Sequence, residues 1–141
     1  MIFVDTSVWS LAFRRKQEQA DIPVINQLKA LIEKDELLAV PGIVLQELLT
    51  GLKEEPQFNR MYKLITGFSI VMANEAHHKL AAQTANKCRK NGVATTATDC
   101  LIAAMAISYS AQLLTTDNDF TYMANYCDLK IYPTGGVLKH N

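Results

Sequence analysis

Four acidic residues have the type and placement to form a metal site, and they are Asp5, Glu47, Asp99 and Asp117. Four carboxylates gathered in a partly dry cleft repel one another, and a fold tolerates this through shared protons or a bound cation. A divalent cation is the simpler solution, and oxygen-only ligation favours Mg²⁺ or Mn²⁺ over zinc. Such an ion commonly keeps water ligands and takes others from substrate phosphates, which suits cleavage of a phosphodiester by activated water.

Each acid, taken alone, also has an ordinary structural explanation. Asp5 and Asp99 each fit the N-cap of a helix, where Asp is a preferred residue. Glu47 fits a solvated helix position, and residues 117–119 (DND) form a common turn sequence. The joint placement of the four acids at predicted strand ends and helix starts is what favours a shared site.

Short apolar runs alternate along the chain with segments of helical periodicity. The runs predict strands at residues 1–4, 37–40, 68–71, 112–116 and 129–132, with residues 41–42 ending the second and residues 117–119 ending the fourth. The periodic segments predict helices after Asp5 and at residues 22–34, 43–52, 56–65, 74–89 and 101–109, with residues 95–99 as a polar lead into the last. This order indicates an α/β fold with a central parallel sheet and helices on both faces.

The predicted sheet gives the acids a common location. Ligands of such sheets bind in the crevice beyond the carboxyl ends of the strands. Asp5 follows the first predicted strand and Asp117 follows the fourth, so both are expected in that crevice. Glu47 lies on the helix after the second strand and Asp99 at the start of the central helix. All four side chains can meet if these two helices pack at the same edge.

Length and composition predict a single domain, residues 1–141, in a cytoplasmic protein. The chain has 141 residues, close to the most common size of one domain. Although 49% of the residues are hydrophobic, no stretch approaches the roughly 20 apolar residues of a membrane-spanning helix. The N-terminus lacks the basic segment, apolar core and cleavage site of a secretory signal.

Cysteines and histidines do not suggest a second kind of site. Cys88, Cys100 and Cys127 are odd in number and form no CxxC pair, which argues against a disulfide framework and a zinc site. His77 and His78 are adjacent, so they point to different sides of their predicted helix and cannot form an i, i+4 ligand pair. The candidate site therefore depends on carboxylates alone.

The charge balance provides no global attraction for nucleic acid. Lys plus Arg equals Asp plus Glu at 14 each, so such contacts require a local basic patch, a metal or a second subunit. Dense basic runs occur at residues 14–16 and 87–90, and although such runs are usually solvated helix ends, they could hold phosphate. Arg14, Arg15 and Lys87 are the candidate phosphate-binding residues.

Four segments resemble the four motif regions of PIN domains, in order and at suitable spacings. They are residues 2–9 (IFVDTSVW), 45–51 (LQELLTG), 98–104 (TDCLIAA) and 114–120 (LTTDNDF). The resemblance covers nearly the whole chain. It is closest to the VapC type, the toxin half of bacterial and archaeal toxin–antitoxin pairs.

The resemblance implies a PIN fold, Mg²⁺- or Mn²⁺-dependent endoribonuclease activity, a homodimer, and inhibition by an antitoxin whose C-terminal segment enters the active-site groove. The family's first three acidic positions fall on Asp5, Glu47 and Asp99, and the fourth falls on Asp117, with Asp119 as the alternative there. Asp5, Asp99 and Asp117 are the metal ligands that the resemblance implies. The resemblance also implies supporting roles for further residues, which are Thr6 after the first acid, Thr115 or Thr116 before the fourth, and Asp119, which could share the metal.

Two alternatives to a toxin follow from the same residues. One is a PIN nuclease that processes RNA without an antitoxin, although such members more often carry extra domains. The other is a non-catalytic signalling module such as a response-regulator receiver. A receiver needs a phospho-accepting Asp after a central strand and a Lys after a later one. We expect no central strand to end in Asp, and Lys130 falls within the last predicted strand.

Overall fold

The sheet contains the residues that position the candidate site. The structure is a computed structural model that describes residues 1–14 and 18–133, so Arg15 and Lys16 lie outside the described residues. Within these ranges the strands are β1 (Ile2–Val4), β2 (Leu38–Pro41), β3 (Ser69–Val71), β4 (Gln112–Leu114) and β5 (Lys130–Ile131). They form one sheet in the order β3-β2-β1-β4-β5, and every neighbouring pair is parallel. The predicted α/β fold class is confirmed.

The central strand is β1, and its sequence explains its position. Ile2, Phe3 and Val4 are all buried, as expected for a strand covered on both faces. Phe3 aligns with Ala39 of β2 on one side and with Leu113 of β4 on the other. Because β1 and β4 are direct neighbours, the segments that follow them emerge side by side at one edge of the sheet.

Helices connect the strands throughout the described residues. Their bounds are α1 (Thr6–Ala12), α2 (Ile22–Glu33), α3 (Gly42–Leu49), α4 (Glu55–Ile65), α5 (Glu75–Lys90), α6 (Ala97–Ser108) and α7 (Asn118–Met123). A short 3₁₀ turn, Gln19–Asp21, precedes α2. The helices predicted from periodicity are present, with boundaries that differ by a few residues. No helix of residues 1–14 or 18–133 has the length and apolar composition required to cross a bilayer.

Three local predictions were wrong, each for a physical reason. The polar lead before the central helix is partly helical, because Thr96 caps α6 and moves its start to Ala97. Pro41 is the last residue of β2, since its extended backbone suits both a strand end and the N-cap of α3. Residues 117–119 are not an isolated turn, because Asp117 caps the short helix α7.

The interior is built around α6, whose small residues allow close packing. Ala103, Ala104 and Ala106 are fully buried, and α6 packs along α5. His77 is buried between these helices, where it shares a reciprocal capping box with Asn74 and lies 3.2 Å from the Ser108 hydroxyl. Its contacts within the described residues give His77 a structural role.

The strand order argues against a receiver fold, but for a different reason from the one predicted from the sequence. The expectation that no central strand ends in Asp was wrong, because β1 is central and Asp5 follows it directly. The strand order nevertheless differs from the 2-1-3-4-5 order of receiver-like folds. Lys130 does lie within β5, as predicted.

Candidate active site

Asp5 lies at the end of the central strand and is held by hydroxyl groups. Its backbone N–H donates to the Leu114 carbonyl at 3.2 Å, which continues the β1–β4 pairing by one residue. Its side chain is only 4% exposed. One carboxylate oxygen accepts from Ser7 Oγ at 2.7 Å and the other from Thr115 Oγ1 at 2.9 Å. Asp5 occupies the N-cap position of α1, but both carboxylate oxygens are engaged by these hydroxyls.

The same two hydroxyls fix the segment after β4. Thr115 Oγ1 accepts from the Asp117 N–H at 2.9 Å, and Ser7 Oγ accepts from the Thr116 N–H at 3.1 Å. Of the two threonines that matched the family's hydroxyl position, Thr115 is therefore the one whose side chain contacts Asp5. Asp117 is positioned relative to Asp5 through these bonds rather than through a flexible loop.

Three carboxylates converge beside Asp5. One oxygen each from Asp99, Asp117 and Asp119 can be chosen so that all three lie within 4.8 Å of one another. Asp99 is in the first turn of α6, where the Thr96 hydroxyl accepts its N–H at 3.1 Å and serves as the cap. The Asp99 carboxylate is thus not needed as a cap and is available to the cluster. Asp117 caps α7 by accepting the Asp119 N–H at 2.9 Å.

Glu47 lies at the border of this cluster. It is exposed on α3 and accepts a hydrogen bond from Thr6 Oγ1 at 2.5 Å. Thr6 is the first residue of α1, so this bond joins the start of α1 to the second half of α3. Glu47 is not one of the three converging acids, but its charge helps to raise the pKa of Asp99.

Burial and mutual repulsion perturb the acids. The pKa of Asp5 is raised to about 6, mainly by burial and slightly by the charge of Asp117, against hydrogen bonds that lower it. Burial is also the largest cause of the raised pKa of Asp99, followed by the charge of Asp117 and, more weakly, those of Asp119 and Glu47. Burial and the neighbouring carboxylates therefore make a negative charge costly at Asp5 and at Asp99.

The raised pKa of Asp5 predicts a pH-dependent stability difference. The folded protein holds the Asp5 proton more tightly than the unfolded chain, so this contribution is present below about pH 4 and lost as pH rises through about 6. Asp5→Asn stays uncharged and should gain stability over the parent by up to about 3 kcal/mol between pH 4 and pH 7 in EDTA. Urea unfolding at each pH measures the difference, and a pH-independent difference would contradict the prediction.

The converging acids fit a small divalent cation. Opposite oxygens around Mg²⁺ are about 4.2 Å apart, because each Mg–O distance is about 2.1 Å. The three oxygens lie within 4.8 Å of one another, so a small closure or a bridging water would complete the coordination. The donor set is oxygen only, which suits Mg²⁺ or Mn²⁺. Asp99, Asp117 and Asp119 would hold the ion, and Asp5 is near enough to Asp117 for their charges to interact.

The basic candidates are less closely tied to the acids. Arg14 is exposed and forms an ion pair with Asp21 at 3.4 Å. Lys87 borders a cavity that also contains Thr84 and Asp128 and does not include the three converging acids. Arg15 lies outside the described residues.

Sequence reasoning missed one feature of the site. Ser7, which bonds Asp5 and Thr116, was not singled out, although its position two residues after the first acid was a usable signal. Asp119, which was expected to be able to share the metal, belongs to the three-acid cluster in the same way as Asp117.

Comparisons with known proteins agree with this geometry. The family model described as "PIN domain" matches residues 2–126. Ribonuclease VapC11 of Mycobacterium tuberculosis (strain ATCC 25618 / H37Rv) is 27% identical over 132 residues, which cover 92% of this chain and 96% of that protein.

Solved structures share the fold. FitAcB from Neisseria gonorrhoeae contains a chain with a TM-score of 0.74 and 23% identity, over 94% of this chain and 97% of that one. VapBC2 from Rickettsia felis, solved bound to a DNA fragment from their promoter, contains a chain with a TM-score of 0.74 and 22% identity, over 94% and 98%.

Proposed function

This chain belongs to the PIN-domain family, and from that membership we propose that it is a divalent-metal-dependent endoribonuclease and the toxin of a toxin–antitoxin pair. The observation that supports catalysis best is the convergence of Asp99, Asp117 and Asp119 within 4.8 Å, next to the buried Asp5. A structural role for this arrangement is disfavoured, because clustered carboxylates without a cation destabilise the fold.

The residues of the site have separate roles in this proposal. Asp99, Asp117 and Asp119 would hold Mg²⁺ or Mn²⁺, and such an ion, when bound, neutralises phosphate charge and makes water easier to deprotonate. Asp5, fixed by Ser7 and Thr115, adds negative charge behind the cation and orients the segment after β4.

Glu47 is the candidate general base. One of its carboxylate oxygens accepts from Thr6, and the side chain is exposed at the border of the cluster. The second oxygen can therefore accept a proton from the attacking water. The Thr6 hydroxyl limits the orientations of Glu47 and so acts as a positioning group.

The toxin role is supported by the relatives. The curated relative is named a VapC ribonuclease, and the Rickettsia felis structure contains VapBC2 bound to promoter DNA. We propose that this chain likewise forms a complex with an antitoxin, and that it forms a homodimer. The balanced net charge offers no strong repulsion between two copies.

Expression in a bacterial host tests the toxin role. Expression of the parent chain should arrest growth, and co-expression of the protein encoded by the adjacent gene should restore it, because an inserted cation such as Arg can cancel the field of the acids. Growth curves and mapping of new RNA 5′ ends are the measurements.

The matched control is Asp99→Asn expressed at the same level, which should be harmless. Normal growth with an amount of parent protein that cleaves the host's RNA would count against the toxin role and favour RNA processing.

A further inference from the structure

A cavity of about 390 Å³ opens directly beside the acidic cluster. Asp119 contributes to its wall, together with Tyr122, Asn125 and Tyr126, and the opposite wall is the backbone segment 92–94. Its volume is at the lower end of the roughly 300–1,000 Å³ of small-ligand sites, which suits one nucleotide-sized group. Because Asp119 belongs to both features, a ligand in this cavity touches the cluster.

The helix α7 explains why these side chains share one wall. Asp119 and Tyr122 are three residues apart and lie on the same helical face. The helical turn continues past α7, since the Asn125 N–H donates to the Tyr122 carbonyl and the Tyr126 N–H to the Met123 carbonyl. Phe120 and Met123 are buried and anchor the other face. Tyr122 is left 56% exposed, so core packing does not account for its ring.

A second cavity adjoins the backbone segment 92–94 that lines the first. It measures about 360 Å³, shares the wall 92–94, and ends at Arg89 and Thr95. Gly92, with φ +79°, makes the turn that separates α5 from this wall. Arg89 is exposed in the last turn of α5, and no carboxylate of the described residues pairs with it. The two cavities share this wall and are named together the groove, with Asp119 lining one and Arg89 the other.

We propose that this groove binds the nucleotide adjacent to the scissile phosphate of a single-stranded RNA. The base stacks on Tyr122, the Asn125 amide hydrogen-bonds its edge, and Arg89 contacts a neighbouring phosphate. Aromatic stacking and a backbone-tracking cation are the usual means of binding single strands, and an amide offers both donor and acceptor to a base edge. The inference rests on the proposed ribonuclease function and names the substrate contact that function requires.

The kinds of side chain that line the groove support RNA as its occupant. A substrate phosphate must reach the three acids. Asp119 and Tyr122 line one cavity of the groove, and Arg89 lines the other. An RNA strand in the groove would therefore offer phosphates to the metal site and to Arg89, and a base to Tyr122. A double helix is disfavoured because its stacked bases are not free to contact Tyr122.

Fluorescence binding tests the stacking contact. The probe is a short single-stranded RNA that the parent cleaves, with 2-aminopurine placed in turn on either side of the cut, bound to the full chain carrying Asp99→Asn. Adding Tyr122→Ala should weaken binding by about 5- to 100-fold and abolish quenching at one position. Tyr122→Phe should retain both, since its ring still stacks. In the cleaving parent, Tyr122→Ala should raise KM more than it lowers kcat.

The matched control is Tyr62→Ala, on α4. Tyr62 is 50% exposed, similar to Tyr122, but does not line the groove, so RNA binding should be unchanged. When the nucleotide at the quenched position is abasic, the Asp99→Asn protein should bind the RNA equally well with and without Tyr122→Ala. If Tyr122→Ala weakened RNA binding equally with and without the base, the stacking contact would be overturned. It would also be overturned if Tyr122→Ala weakened binding of a protein partner and left RNA binding unaltered.

Salt dependence tests the Arg89 contact. Arg89→Met should reduce the slope of log affinity against log salt by about 0.7, the value for one phosphate contact on a single strand. Lys63→Met, on α4, should leave the slope unaltered. If the parent cleaves RNA and Tyr122→Ala cleaves and binds it equally well, this inference alone is overturned. If the parent does not cleave RNA, the proposed function is overturned as well.

Discussion

Replacing Asp99 with Asn is expected to lower RNA cleavage by about 10²- to 10³-fold or more while leaving the protein folded. The variant keeps the size of the side chain but removes a charge from the cluster that balances the cation, and the loss of one preorganised electrostatic contact has an effect of this order. Initial rates on a single-stranded RNA in Mg²⁺ measure the change.

The fold should survive this substitution because Asp99 is not the cap of α6. Its backbone N–H donates to Thr96, and this bond is independent of the side chain. Removing this charge should raise the melting temperature of the metal-free protein slightly, since burial and, after it, the acidic neighbours raise the pKa of Asp99. Asp99→Asn cleaving RNA like the parent would remove this residue from the mechanism.

Asp128→Asn provides the matched control. Asp128 is exposed in the segment before β5 and is not part of the three-acid cluster, so this variant should cleave RNA at the parental rate. The same assay on Asp117→Asn and Asp119→Asn compares the two residues that are candidates for the fourth acidic position. Asp117 also caps α7, and Asn can accept the same Asp119 N–H, so Asp117→Asn should lose activity without losing the cap.

The sequence was sufficient for the sheet and for the placement of the first acid. Residues 2–4 are a run of strand formers followed by Asp5, and a parallel sheet requires that such a run be buried and that its end face the ligand crevice. The amphipathic α2 and the long α5 were likewise predictable, because their apolar spacing and end signals agree. These elements have local signals that coincide with their tertiary roles.

Features that depend on tertiary contact were not predictable. The choice of Thr115 over Thr116 depends on which hydroxyl reaches Asp5, a residue 110 positions away in sequence. The convergence of Asp119 with Asp99 depends on α7, a helix too short to give a periodic signal. The groove at Tyr122 arises from the approach of α7 to the 92–94 segment, two parts of the chain that share no motif.

Removal of divalent metal is expected to abolish RNA cleavage. Dialysis against EDTA should reduce activity to background, and Mg²⁺ or Mn²⁺ should restore it, because Asp99, Asp117 and Asp119 supply oxygen donors that match these ions. Zinc should restore little, since its sites are usually built with His and Cys ligands. Full activity in excess chelator would contradict the proposed mechanism.

Metal binding should also be visible without RNA, through stability. A ligand that binds only the folded state at 100 times its Kd stabilises it by about 2.7 kcal/mol. The parent should therefore melt at a higher temperature in Mg²⁺ than in EDTA at matched ionic strength, with a smaller rise for Asp119→Asn and an unchanged rise for Asp128→Asn. The rise should be larger at pH 7.5 than at pH 5, because burial raises the pKa of Asp5 to about 6, and protonated Asp5 leaves less negative charge for the cation to neutralise. The raised pKa of Asp99 acts in the same direction. An equal rise in all three proteins would place the bound ion elsewhere and separate metal binding from the acidic cluster.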